Sequence, residues 1–181
     1  MGKLDGTRVY LVGAMDRAPD GGKGWREEIT PPLQEMGIHV LSPCKKPIDI
    51  GLESEDGRKK RKEHKRKGEW DELAKYKTIR SVDLRMVDIS DFIIVALNME
   101  EHPFGTIEEI VTANRQKKVI LVWAVNGKAE APDWLFWMIP HKFIFDKLED
   151  LLKYVKDVDS GNREDKRWVI FDFDGEEKCL I

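Results

Sequence analysis

The rhythm of apolar and polar positions changes several times along the chain, and each change predicts an element. Arg8-Val9-Tyr10-Leu11-Val12 is a short apolar run closed by Gly13, which predicts a buried first strand. From Ala14 to Gly24 the chain holds Pro19, Asp20, Gly21 and Gly22, residues that sustain no element, and a loop is expected. Trp25, Ile29, Leu33 and Met36 recur at helical spacing and Gly37 stops the helix they predict. Ile38 to Leu41 reads as a second short strand. Ser42 to Gly68 is punctuated by Pro43, Pro47, Gly51 and Gly57 before it turns strongly basic. The seam Ile79, Val82, Met86 and Ile89 predicts a helix from Glu69 to Asp88. Phe92 to Leu97 is apolar without interruption, which implies burial on both faces, as in a central parallel strand. After a loop from Asn98 to Phe104 come a helix from about Ile107 to Gln116 and a strand from Val119 to Trp123. A short helix over Trp134–Met138, a strand over Phe143–Phe145 and a helix over Leu148–Val158 follow. The tail from Asp159 to Lys166 is polar, and Arg167 to Asp174 reads as a last extended segment.

Strands that alternate with helices predict an α/β fold: one doubly wound, flavodoxin- or Rossmann-like sheet of about five parallel strands with flanking helices. The length of 181 residues fits one domain, with a basic insertion at about 52–68 and a C-terminal tail at 159–181. Doubly wound sheets bind ligands outside the carboxyl ends of their strands, where strand order reverses. That points to three loops: Gly13 to Gly24, Ser42 to Gly68, and Asn98 to Thr106.

Composition narrows the function classes. A hydrophobic fraction of 41% suits a packed core, and 36% charged residues suit a well-solvated surface. A net charge of −3 argues against a nucleic-acid or membrane partner for the molecule as a whole, although the charge is uneven. The run Arg58 to Lys67 is expected to be a solvated loop or helix face, with phosphate recognition open because it borders the ligand edge of the sheet. Cys44 and Cys179 have no Cys-x-x-Cys spacing and are expected as a buried thiol and a tail thiol; no metal and no cofactor are expected. The polar stretch Met1 to Arg8 and the lack of a membrane-length apolar run predict a soluble, cytoplasmic protein.

Candidate chemistry gathers at Gly105-Thr106-Ile107-Glu108-Glu109. Glycine lets the backbone approach a ligand, and Thr106 as N-cap would put Glu109 in the first helical turn at the mouth of the sheet. The same Thr-x-x-Glu is also a capping box, in which Glu109 bonds back to the Thr106 backbone. Spacing alone does not choose between Glu108 and Glu109, nor between capping and catalysis. Asp83 borders an apolar seam, where an unpaired carboxylate costs desolvation energy. Arg80 or Lys77 on the same helix are its expected partners.

Several of these segments, in order, resemble the nucleoside 2-deoxyribosyltransferase family. Val9-Tyr10-Leu11-Val12-Gly13-Ala14-Met15-Asp16 is similar to its first strand and loop, and Gly24-Trp25-Arg26-Glu27-Glu28 to the start of its first helix. Asp83 ahead of Ser90-Asp91-Phe92-Ile93-Ile94-Val95-Ala96 resembles its Asp-then-strand pattern. Gly105 to Glu109, followed by Ala113, resembles its nucleophile motif, and that phase selects Glu109 over Glu108. Arg167-Trp168-Val169-Ile170-Phe171-Asp172-Phe173 resembles its C-terminal segment. The likeness covers most of the chain apart from the basic insertion.

The resemblance implies a retaining, two-step cleavage of the N-glycosidic bond of a 2′-deoxynucleoside through a deoxyribosyl ester of Glu109, with transfer to a second free nucleobase. Asp83 would orient the sugar and assist proton transfer, and Tyr10 would hydrogen-bond Glu109. Gly13, Ala14, Met15, Asp16, Trp25 and Gly105 would bind substrate. Glu101 or His102 stands where the family often carries an acidic residue that contacts the base. Asp133 is the candidate to reach the sugar 5′-hydroxyl in a neighbouring subunit of a homo-oligomer. Trp134-Leu135-Phe136-Trp137 is expected as an interface or as core. Related deoxynucleotide N-hydrolases grip phosphate with a serine where Ala14 stands, which favours unphosphorylated nucleosides. The rival expectations are a deoxynucleotide or nucleoside hydrolase, with water as acceptor, and a catalytically silent nucleotide sensor. A cytokinin-activating type of phosphoribohydrolase shares Gly-Thr-x-x-Glu, but its Pro-Gly-Gly lead-in is missing here. A nucleic-acid binder working through the basic run is the last.

Overall fold

A computed structural model describes residues 2–15, 18–48, 53–101 and 103–169. Five strands form one parallel sheet: β1 (Arg8–Gly13), β2 (His39–Leu41), β3 (Phe92–Leu97), β4 (Val119–Ala124) and β5 (Ile144–Phe145), in the order β2-β1-β3-β4-β5. The α/β class and the parallel doubly wound sheet expected from the apolar runs are what the chain forms. All six residues of β3 are buried, as its unbroken apolar run requires. β1 and β3 pair from Val9↔Phe92 to Gly13↔Ala96, so their carboxyl ends finish level.

Seven helices flank the sheet among the described residues: α1 (Gly24–Glu35), α2 (Glu55–Lys67), α3 (Trp70–Ala74), α4 (Lys77–Ile89), α5 (Phe104–Arg115), α6 (Asp133–Met138) and α7 (Leu148–Asp159). The single helix expected from Glu69 to Asp88 is two, broken at Lys75–Tyr76. The reason is packing: α3 buries no residue, and α4 is the piece held down, through Met86 and Val87. The basic run is a helix face. Ser54 caps α2 by accepting from the Gly57 N–H at 3.1 Å, and Gly68 closes it in the left-handed conformation, φ 69°. Lys59–Glu55 and Lys67–Glu63 pair along its surface, while Arg61 and His64 lie on the Tyr76 ring.

At the other end of the chain, Arg167 to Val169 joins no strand, and residues 170–174 of the expected extended segment lie outside the described residues, as does Cys179. Trp168 is buried instead, edge-on to Phe92 at 4.9 Å, and its Nε1 donates to the Tyr154 hydroxyl at 2.9 Å. The tryptophan-rich segment divides: Leu135 is core and Trp137 is 82% exposed. No helix among the described residues is long and apolar enough to cross a membrane.

Connections from β1 and β3 depart to opposite sides of the sheet, so their carboxyl ends border a crevice, the usual ligand position in this architecture.

Candidate active site

A cavity of about 410 Å³ lies at that crevice. Tyr10, Gly13, Ala14 and Met15 line it from β1 and the following loop, and Pro43 and Glu53 from the connection after β2. Ile79, Arg80 and Asp83 of α4 form another wall. Glu101 and Pro103 through Thr106 lead from β3 to Glu109 of α5, which completes the lining.

Helix α5 starts at Phe104 after Pro103, which offers no side-chain cap. Thr106 is therefore inside the helix and buried, no capping box forms, and Glu109 sits in the second turn, where its side chain points into the fold. The early start also separates the two glutamates. Glu108 is largely exposed and receives Arg80 Nε and Nη2, each at 2.8 Å. Glu109 is only 5% exposed. Its Oε1 accepts from the Tyr10 hydroxyl at 3.2 Å and from Arg80 Nη1 at 2.8 Å, whereas Oε2 accepts no hydrogen bond among the described residues. Arg80 Nη2 also donates to the Gly105 carbonyl at 3.1 Å, fixing the guanidinium across the start of α5.

Burial pushes the Glu109 carboxyl up to about 7; the Arg80 guanidinium pulls the other way, and the charge of Asp83 adds to the rise. The Tyr10 hydroxyl is held well above its ordinary value, first by burial and then by the charges of Glu109 and Asp83, so it stays a donor.

Asp83 pairs with neither Arg80 nor Lys77 of its own helix. Lys46, from the connection after β2, reaches its Oδ1 at 2.7 Å and Glu53 Oε2 at 2.6 Å. Arg80 is unavailable to Asp83 because both glutamates of α5 claim it. Sequence patterns did not mark Lys46 or Glu53, since a loop has no periodicity to reveal which side chain turns inward.

Arg26 was also missed as a site residue, though a signal existed: it shares the buried face of α1 with Ile29 and Leu33. Its Nε donates to the Leu11 carbonyl at 3.2 Å, Nη2 to that of Gly13 at 2.9 Å, and Nη1 to that of Gly22. It thus ties the end of β1 to the loop behind the cavity. Gly22 lies at φ 73°, and a Cβ there would collide with the Ala14 carbonyl and the Arg26 guanidinium.

Of the other expected substrate residues, Gly13, Ala14, Met15, Glu101 and Gly105 line the cavity. Trp25 does not; it packs behind Gly13, edge-on to Trp123 at 6.5 Å and under the Arg26 guanidinium at 4.7 Å. Asp133 opens α6 away from this cavity, and the role expected of it concerns a neighbouring subunit. Asp16 and His102 lie outside the described residues.

Neither a family model nor a curated protein matches the sequence. The structure is similar to a 2-deoxyribosyltransferase from Leishmania mexicana, at 17% identity and a TM-score of 0.50, over 82% of this chain and 95% of that one. It is similar as well to a 2-deoxyribosyltransferase from the psychrotolerant bacterium Bacillus psychrosaccharolyticus, at 14% identity and a TM-score of 0.55, over 82% and 92% of the two chains. A CMP N-glycosidase from Clostridium botulinum is a looser likeness, with 18% identity, a TM-score of 0.46 and coverage of 83% and 98%. The chain has the fold of the two deoxyribosyltransferases.

Proposed function

We propose that the protein is a nucleoside 2-deoxyribosyltransferase, which breaks the N-glycosidic bond of a 2′-deoxynucleoside and passes the sugar to another nucleobase. One observation carries this reading: Glu109 is a buried carboxylate on the cavity, with one oxygen held by Tyr10 and Arg80 and the other accepting nothing among the described residues. A nucleophile needs that asymmetry. The anchored Oε1 fixes the group, and Oε2 keeps a lone pair for C1′.

In the first step, Oε2 attacks C1′ as the C1′–N bond breaks and its electron pair departs with the base nitrogen, which takes up a proton from solvent water. Asp83, on the same cavity, is the group assigned to orient the sugar and assist that proton. In the second step a nitrogen of the incoming base attacks C1′, the ester C–O bond breaks, the carboxylate of Glu109 is regenerated and the acceptor releases a proton. With its carboxyl near 7, Glu109 is substantially ionised at neutral pH, as attack requires.

The electrostatics of the cavity favour an unphosphorylated substrate. Among the described lining residues Glu53, Asp83, Glu101 and Glu109 are acidic, and the basic one, Arg80, is already shared by Glu108, Glu109 and the Gly105 carbonyl. A phosphate dianion would meet repulsion, and no cation among the described lining residues is uncommitted. The volume lies at the lower end of the range for small-molecule sites, about 300–1,000 Å³. The deoxyribosyltransferase fold is independent support. The same reading makes the protein a homo-oligomer, with exposed Trp137 of α6 as a ready apolar contact.

Incubation with a deoxynucleoside and a different free base, followed by chromatography, tests the proposal. A new deoxynucleoside carrying the second base is the expected product. Free base and free deoxyribose alone would replace the acceptor base with water. No turnover of any deoxynucleoside or deoxynucleotide would overturn the reading.

A further inference from the structure

The connection between β2 and α2 hides a lysine. The Lys46 side chain is fully buried, and its ammonium lies 2.7 Å from Asp83 Oδ1 and 2.6 Å from Glu53 Oε2. An ammonium removed from water is costly unless it is closely paired. Both carboxylates that pair it line the cavity, and they come from segments far apart in sequence, the start of the basic insertion and α4. Asp83 Oδ2 accepts no hydrogen bond among the described residues, so Asp83 repeats the pattern of Glu109: one oxygen anchored, the other left for a ligand.

We propose that Lys46 is a positioning residue whose buried ammonium clamps Asp83 and Glu53 side by side on the cavity wall, and that Glu53 thereby joins the substrate-contacting set. The proposal rests on the glycosyl-transfer reading. The clamp does three things at once. It tethers the insertion to α4, orients Asp83 through one oxygen, and offsets the mutual repulsion of two neighbouring carboxylates. Among the described residues, the charged and titratable groups around this corner include Glu53 from the β2–α2 connection, Asp83 and Arg80 of α4, Glu101 after β3, Glu109 of α5, Tyr10 of β1, Arg26 of α1 and Cys44 beside Arg26.

Removing one cation from this group raises the pH at which its carboxyls take their first proton, whichever of them takes it. The test compares wild type with Lys46→Met, Lys46→Arg and the charge-balanced pair Lys46→Met/Glu53→Gln. Each is assayed for base exchange across pH and followed by ¹³C NMR of the Asp and Glu side-chain carboxyls. In Lys46→Met, kcat should fall roughly ten- to a hundred-fold from the loss of orientation, with KM changed far less. The acid limb of kcat/KM should move up by about one pH unit. Lys46→Arg should restore most of both. The paired variant, which keeps the net charge and guards against a fold lost to unpaired carboxylates, should restore the pH limb but not kcat.

An unchanged kcat together with an unmoved acid limb in Lys46→Met would overturn the clamp. Wild-type protein inactive on every substrate would sink the glycosyl-transfer reading instead. The NMR spectrum still decides the clamp then, because the Asp83 and Glu53 carboxyl resonances, which touch the ammonium, must shift in Lys46→Met with or without chemistry, and resonances that stay in place overturn it.

Discussion

Changing Arg80 to glutamine removes the cation that touches the Glu109 carboxylate, at 2.8 Å, while leaving an amide of similar length. With Arg80 present the carboxyl titrates at about 7, because burial and the charge of Asp83 outweigh the guanidinium. Two unit charges about 4 Å apart interact by about 4 kcal/mol at an effective dielectric near 20. The Arg80 side chain is 31% exposed, so solvent screens part of this. Taking about half, ~2 kcal/mol, corresponds to roughly 1.5 pH units. The sign is upward, since the lost attraction favoured the ionised form, and the titration should move to about 8.5. At about pH 6.5 the ionised fraction then drops from about a quarter to about one hundredth, a loss of roughly 25-fold, whereas near pH 9.5 about nine-tenths is ionised in the variant. Single-turnover cleavage of a deoxynucleoside, sampled by chromatography from acid to alkaline pH, reads this directly. Arg80→Gln should be crippled below neutrality and recover as the pH rises. A rate lowered by the same factor at every pH, with the acid limb still near 7, would refute the argument and give Arg80 another task.

Three further outcomes are expected. Glu109→Ala should abolish turnover and Glu108→Ala should leave much of it, because only Glu109 lines the cavity; steady-state rates of the two variants check this, and the reverse pattern would reassign the nucleophile. Glu109→Gln should stabilise the protein at alkaline pH. The folded carboxyl holds its proton to about 7 against an ordinary 4.5, so the wild type is unburdened below 4.5 and loses about 3 kcal/mol as the pH climbs through 7. Denaturant unfolding should therefore show the glutamine variant ahead at about pH 8.5 and level at about pH 4, and an equal gap at both would contradict it. Arg26→Met strips hydrogen bonds from the carbonyls of Leu11, Gly13 and Gly22. It should cost about 3 kcal/mol or more, lowering Tm by roughly 6–12 °C, and raise KM through the loosened Gly13 loop; an unchanged Tm in a thermal melt would count against the tie.

Much of the fold is legible in the order of the residues. The unbroken run Phe92–Leu97 admits only a strand buried on both faces, and the regular apolar phase of α7 likewise declares which side meets the sheet. Both are local periodicities, and burial of an apolar stripe is what forms the element. Tyr10 and Glu109, 99 residues apart, were paired on resemblance, and the fold brings them within hydrogen-bonding distance because β1 and the segment after β3 end at the same crevice.

Where the sequence pattern misled, the deciding interactions were non-local. Thr106-x-x-Glu109 has the form of a cap, but α5 starts at Phe104 and carries Thr106 into the interior, so burial of that turn overrode the local motif. Asp83 had basic neighbours at helical spacing, but Arg80 is drawn across to α5 and Lys46, 37 residues away, takes its place. Charge is long-ranged and carries no periodicity, so residue order names the candidates for an ion pair without choosing among them. The sequence by itself determined the strands, most of the helices and the acidic residues available for chemistry. Tertiary structure decided which of those carboxylates are stripped of water, which cation each one keeps, and hence which oxygens remain for a ligand.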